Sequence, residues 1–142
     1  MTAGCLFCGI AGGALAAHVV HDDGRTLAFL DHRPLFPGHV LVIPREHHRT
    51  LPDLPDALLA PFLSSVRLVA AALPAAMEAE GTFVAMNNRV SQSVPHLHAH
   101  VVPRRSKDGL RGFFWPRRPY RDDAAMREVA ERVRSAIAGG RP

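Results

Sequence analysis

Lysine is almost missing from this chain of 142 residues. Lys107 is the only one, so the net charge of +4 and the sequence pI near 10.0 rest on arginine. That balance suits a polyanionic partner such as a phosphate ester or a nucleic acid. An alanine-, arginine- and proline-rich composition also follows from codon usage alone, so charge by itself selects no function. Cysteine is scarce as well: Cys5 and Cys8 are too few and too close for a disulfide framework. No apolar run reads as long enough for a signal peptide or a membrane span, which leads us to expect a cytoplasmic protein with no membrane partner. Internal repeats and low-complexity segments are absent. What is present is a 47% hydrophobic chain, enough for one soluble domain over residues 1–142 with a real core.

The pattern along the chain predicts an antiparallel α+β fold. Residues 18–31 read as a hairpin about Asp23-Gly24, and residues 39–44 (HVLVIP) as a strand after the turn Pro37-Gly38. Residues 51–81 have helical spacing, with Pro61 expected to start the main helix and Pro74 to kink or end it. TFVAMN (82–87) and HLHAHVVP (96–103) read as two more strands. A final helix is expected over residues 122–138, capped by Asp122, with Met126, Val129, Ala130, Val133 and Ile137 on one face.

His96, His98 and His100 occupy alternate positions of the last of these strands, which puts three imidazoles on one face. A lone histidine on a strand is most often a satisfied polar group; three in register ask for a shared task. A single metal ion does not suit all three, because His96 and His100 stand about 13 Å apart at a strand's rise of roughly 3.3 Å per residue. A division of labour along a phosphate substrate does suit them. Neutral imidazole is a nucleophile at pH 7, so the middle histidine can attack phosphorus while a neighbour serves the departing group. Gln92 and Ser93, just upstream, can donate to the non-bridging oxygens.

CLFC (5–8) is a Cys-x-x-Cys, either a redox pair or half of a zinc site. A thioredoxin-like pair follows a strand and opens a helix, and no strand precedes this one, so zinc is preferred. His47 or His48 from PREHH, together with His96, can complete a closed Cys2His2 site, structural because no position is left for water.

The run His96-Leu97-His98-Ala99-His100-Val101-Val102 resembles the H-x-H-x-H signature of the histidine triad superfamily of nucleotide hydrolases and transferases. CLFCGI, LAFLDHRPLFPGHVLVIPREH and QSVPHLHAHVVPR resemble, in order and spacing, blocks of its bacterial Hint-like, zinc-carrying members, over residues 5 to 105. The resemblance implies a HIT-like antiparallel sheet with a long helix and a C-terminal helix. It implies His98 as the nucleophile that takes up the nucleotidyl group and His100 as a contact to phosphate and leaving group. Asp31 then matches the ribose-binding residue, and Leu6, Phe7, Phe29 and His32 the walls of a purine pocket. Ser93 and Gln92 match phosphate and leaving-group contacts, and Asn87 or Asn88 the phosphate-contacting asparagine. The ligands implied for a structural Zn2+ are Cys5, Cys8, His47 and His96. Three departures stand out: the loop NNRVSQ (87–92) is short, Ser91 stands where glycine is common, and RRSKDGLRGFFWPRRPYR (104–121) fits no part of the general pattern.

The function expected from these residues is release of a nucleoside monophosphate, AMP-type, from a phosphoramidate or related nucleotidyl substrate through a nucleotidyl-His98 intermediate. The expected assembly is a homodimer and the expected partner a purine nucleotide. A dinucleoside polyphosphate hydrolase or phosphorylase is an alternative, as is a non-catalytic nucleotide- or RNA-binding module. Blander readings exist too: Asp31 as a turn residue before Pro34, His39 as a structural hydrogen-bonder, and His18 and His21 as surface residues. Residues 104–121 form a basic, aromatic arm. Its cluster Phe113-Phe114-Trp115, with Tyr120, is expected at a dimer interface rather than on nucleic acid.

Overall fold

The computed structural model describes residues 2–110 and 118–139. They form two compact units with the boundary between Asp108 and Gly109, and each is described by itself. The first unit is a five-stranded antiparallel sheet of order β1-β2-β3-β5-β4. Its strands are β1 (Val19–Asp22), β2 (Thr26–Leu30), β3 (Val40–Pro44), β4 (Gly81–Ala85) and β5 (Ala99–Arg104). This is the α+β architecture expected from the pattern.

Alternation along the strands sorts the core into two layers. On one face Ala28, Val40, Val42, Ala99 and Val101 pack under Phe62, Val66, Val69 and Leu73 of α2 (Asp56–Met77). On the other, Leu27, Phe29, Leu41 and Ile43 pack with Phe7 and Ala11 of the short α1 (Leu6–Ala11). Leu41 pairs with His100 across β3 and β5, so the histidine face belongs to the α1 side. The hairpin is tied by Asp23, whose carboxylate accepts from the backbone N–H of Arg25 and Thr26, while Gly24 takes φ +84°. Both arrangements need little space, which suits a tight turn.

Four expectations need correction. Pro61 does not start the helix: α2 begins at Asp56, behind the capping turn of Thr50 and Asp53, and carries Pro61 inside it at the loss of one backbone bond. Of the two alternatives for Pro74, kinking or ending the helix, the second does not hold, since α2 runs on to Met77 and closes at Glu78 with φ +51°. The strand expected over residues 96–103 starts only at Ala99, so His96 and His98 precede it. Finally, α2 is 22 residues with a mean hydropathy of 1.7 in its most apolar window, long and apolar enough by composition to cross a membrane. One of its faces nevertheless packs on the sheet, and Arg67 lies on its exposed side.

In the second unit α3 (Asp123–Gly139) begins where expected, with Asp122 Oδ1 accepting from Ala125 N–H at 2.8 Å. None of its described residues is buried; Met126, Val133 and Ile137 are more than half exposed. Tyr120 is exposed as well, whereas residues 113–115 of the expected aromatic cluster lie outside the described residues.

Candidate active site and metal centre

Helix α1 was not expected from the sequence, and it organises the site. Cys5 caps it, its Sγ accepting from Cys8 N–H at 3.5 Å, and this turns both thiols to one side. Phe7 meets His96 and His98 edge-on, with ring centroids 5.9 and 5.1 Å away. His98 and His100 rings follow at 4.9 Å. The three histidines therefore share a face although only His100 lies in β5.

Hydrogen-bond partners fix the tautomer of each ring, because a carbonyl oxygen can only accept. His96 donates Nε2–H to the Pro44 carbonyl at 2.8 Å, leaving the Nδ1 lone pair 3.6 Å from the sulfurs of both Cys5 and Cys8. His98 donates Nδ1–H to the His96 carbonyl at 2.7 Å, leaving a lone pair on Nε2. His39 accepts the Leu35 N–H at Nδ1, so its Nε2–H is the donor to His100 Nδ1 at 3.0 Å. His100 in turn must carry its proton on Nε2. Burial first, and then the neighbouring His98 and His39, push His100 down to about 4, so it is neutral at pH 7.

Cys5, Cys8, His47 and His96 bring their donor atoms within 4.8 Å of one another. His47 Nδ1 is 3.3 Å from Cys8 Sγ. Zinc bonds of about 2.0–2.3 Å imply tetrahedron edges of about 3.3–3.8 Å, and the Cys5–His96, Cys8–His96 and Cys8–His47 separations of 3.6, 3.6 and 3.3 Å fall in that range. His96 and His47 are both shifted toward the neutral, ligating form, chiefly by burial, His96 to about 4. The donor set thus fits a four-coordinate zinc, and the open choice between His47 and His48 falls to His47. A second cluster of Asp31, His39 and His100 is explained without an ion, since its two rings share a hydrogen bond rather than present lone pairs to a common point.

A cavity of about 790 Å³ opens beside His98. Leu6, Phe7, Phe29, Asp31, His32 and Ser93 line it together with His98 and His100. His32 stands at its rim, 82% exposed and 3.9 Å from the Asp31 carboxylate. Gln92, Asn87 and Asn88 are not in its wall. Asn88 Oδ1 accepts from Leu51 N–H, Asn87 donates to the Ser91 carbonyl, and both ends of the Gln92 amide are bonded to backbone. His39, read as a structural hydrogen-bonder, is one, and its partner His100 lies 61 residues away in the chain. Sequence reasoning missed Arg33 on the cavity wall for want of any pattern.

The family model described as HIT domain matches residues 13–107, about two thirds of the chain. The chain belongs to the HIT domain family. Among HIT relatives, an uncharacterized HIT-like protein of Methanocaldococcus jannaschii is 38% identical over 106 residues, covering 74% of this chain and 82% of that one. The adenosine 5'-monophosphoramidase of Schizosaccharomyces pombe is 33% identical over 135 residues, 94% of this chain and 98% of that one. Among solved HIT structures, a zinc-bound histidine triad family protein of Mycobacterium smegmatis superposes with a TM-score of 0.72 at 34% identity, covering 94% of this chain and 97% of that one.

Proposed function

We propose that this HIT protein is a nucleotide hydrolase that releases a nucleoside monophosphate from a phosphoramidate or related nucleotidyl substrate. The observation that carries the reading is the His98 tautomer: Nδ1–H is held by the His96 carbonyl, so the Nε2 lone pair is free to attack. Attack on the α-phosphorus forms a phosphorus–nitrogen bond and breaks the bond to the leaving group, which departs with a proton taken from solvent water. Water then cleaves the nucleotidyl-His98 bond and frees the histidine. His100, a Nε2–H donor oriented by His39, stabilises charge on the phosphoryl oxygens or leaving atom. Ser93 has no hydrogen-bond partner among the described residues and is exposed in the cavity wall, ready to donate to the same oxygens.

Leu6, Phe7 and Phe29 offer apolar walls for a purine, and Asp31 offers a carboxylate for the ribose hydroxyls. Zinc held by Cys5, Cys8, His47 and His96 would brace α1 against the end of β3 and the start of the histidine run, a structural role that leaves no open position. The single-domain reading of residues 1–142, a homodimeric assembly and a cytoplasmic location complete the proposal. Support for the dimer is the edge strand β4 with Val84 exposed and the apolar face of α3. The Schizosaccharomyces pombe relative supports AMP-type phosphoramidates as first substrates. Incubation with adenosine 5'-phosphoramidate and with diadenosine tetraphosphate should release AMP from the former at the higher rate. Faster cleavage of the latter would favour a dinucleoside polyphosphate hydrolase, and no product from either would leave a nucleotide-binding module.

A further inference from the structure

The surface that holds His98 does not end at Ser93. Leu6, Ser93 and Val94 also line a second hollow of about 500 Å³, and His47, Arg49 and Pro95 line both that hollow and a third of about 780 Å³. Arg89, Gln92 and Asp53 complete the walls of the third. One track thus runs from the nucleophile along residues 93–95 into a cleft flanked by two guanidinium groups.

The cleft is built by specific bonds. Gln92 Oε1 accepts the Arg89 N–H at 2.8 Å while its Nε2 donates to the Arg49 carbonyl at 2.6 Å. Asn88 adds a third tie, accepting the Leu51 N–H at 2.8 Å. The loop so fastened holds Arg89 and Ser91 at φ +71° and +59°, where residues with side chains are rarely found and glycine is at ease. Among the described residues neither Arg49 nor Arg89 has a carboxylate within ion-pair distance. The acid of the cleft is already engaged: Asp53 Oδ2 accepts from the Thr50 N–H at 3.0 Å and the Thr50 hydroxyl at 2.6 Å. His48 also lines the cleft, its Nε2 shielded from water with no hydrogen-bond partner and the Glu46 carboxylate 3.7 Å away. Two arginines against one satisfied carboxylate leave a positive field at the end of the track.

The geometry points to a subsite for an anionic leaving group, one whose carboxylate or phosphate lies a few bonds from the scissile phosphorus and meets Arg49 and Arg89. Residues 93 and 95 are at most about 7 Å apart, so the reach required is short. Guanidinium groups bind both carboxylate and phosphate through paired N–H donors, which makes these two anions the shared chemistry. The inference deepens the nucleotidyl-transfer reading above and rests on it.

Three adenosine phosphoramidates test it: those of β-alanine, of β-alanine methyl ester and of phosphoethanolamine. We expect kcat/KM for the two anionic compounds to exceed that for the neutral ester, and Arg49→Ala or Arg89→Ala to shrink that ratio by about threefold to fivefold each, as an exposed charge pair allows. Arg89→Glu should reverse the preference. The same compounds titrated calorimetrically into His98→Asn protein read the cleft without turnover. An acid-to-ester affinity ratio unmoved by Arg89→Glu overturns the subsite. AMP released from none of the three compounds by the unmodified protein overturns the hydrolase reading instead. A loss confined to the phosphoethanolamine compound makes the anion phosphate; a loss confined to the β-alanine compound makes it carboxylate.

Discussion

His98 donates its Nδ1–H to the carbonyl oxygen of His96 at 2.7 Å, so the residue proposed to ligate zinc also sets the tautomer of the proposed nucleophile. His98→Ala and His98→Asn should lower turnover by roughly three orders of magnitude or more, because a unit-acting nucleophile is removed. Nucleotide affinity should stay within a few-fold of the unmodified value. Rapid-quench kinetics and equilibrium titration check the two halves, and intact-protein mass spectrometry should find a nucleotidyl adduct only when His98 is present. Substantial turnover in His98→Ala would move the chemistry to direct attack by water.

One zinc per chain is expected in protein purified without chelator. Paired substitution Cys5→Ser and Cys8→Ser should abolish it, as measured by elemental analysis. Because the four donors come from α1, the end of β3 and the histidine run, losing the ion should lower the melting temperature before it lowers the rate of the residual folded enzyme. Zinc that survives the paired substitution would remove Cys5 and Cys8 from the ligand set.

The sheet was legible because its strands are apolar runs bounded by turn signals such as Asp23-Gly24 and Pro37-Gly38, and a candidate Cys/His cluster because Cys-x-x-Cys and PREHH stand out by their spacing, although spacing left His47 and His48 undecided. What stayed hidden depends on contacts across the chain. Helix α1 is only six residues long, too short for a periodic signal, yet it brings Phe7 against His96 and His98. Pro61 looked like a helix start by local rule, and burial of Phe62 and Val66 beside it overrode that rule. His39 lies in a block that resembles the family, but only folding places it 3.0 Å from His100. Gln92 was read as a phosphate and leaving-group contact; its amide also joins two backbone segments, a tie that no local pattern announces.

Stability should fall as the solution is acidified below neutrality. Burial lowers the His100 pKa from 6.5 to about 4 and lowers that of His39 as well, so between those values the unfolded chain binds more protons than the folded one. Stability then rises with pH across that window and is lost as pH drops through it. Urea midpoints measured from pH 7 to pH 4 should show this slope, and His100→Gln should flatten it. A slope unchanged in His100→Gln would mean that this imidazole contributes nothing to it and that the slope comes from other buried histidines such as His39 and His96.

Asp31 serves two masters, and one pair of substitutions separates them. Its Oδ1 accepts the Arg33 N–H at 2.9 Å, the bond of a turn residue, while its Oδ2 lies 3.7 Å from His39 Nε2 at the wall of the cavity. Asp31→Asn keeps an oxygen for the turn but loses the charge; Asp31→Ala loses both. If the carboxylate accepts from two ribose hydroxyls, either change should weaken ribonucleotides by about 1.5–3 kcal/mol, the worth of a hydrogen bond to a charged group. The 2'-deoxynucleotides, which offer one hydroxyl fewer, should weaken less. Binding constants for AMP and 2'-deoxy-AMP in the two variants give the answer. Equal weakening of both nucleotides in Asp31→Ala, with full affinity restored in Asp31→Asn, would leave Asp31 as the turn residue alone and pass ribose recognition to another group on the same wall.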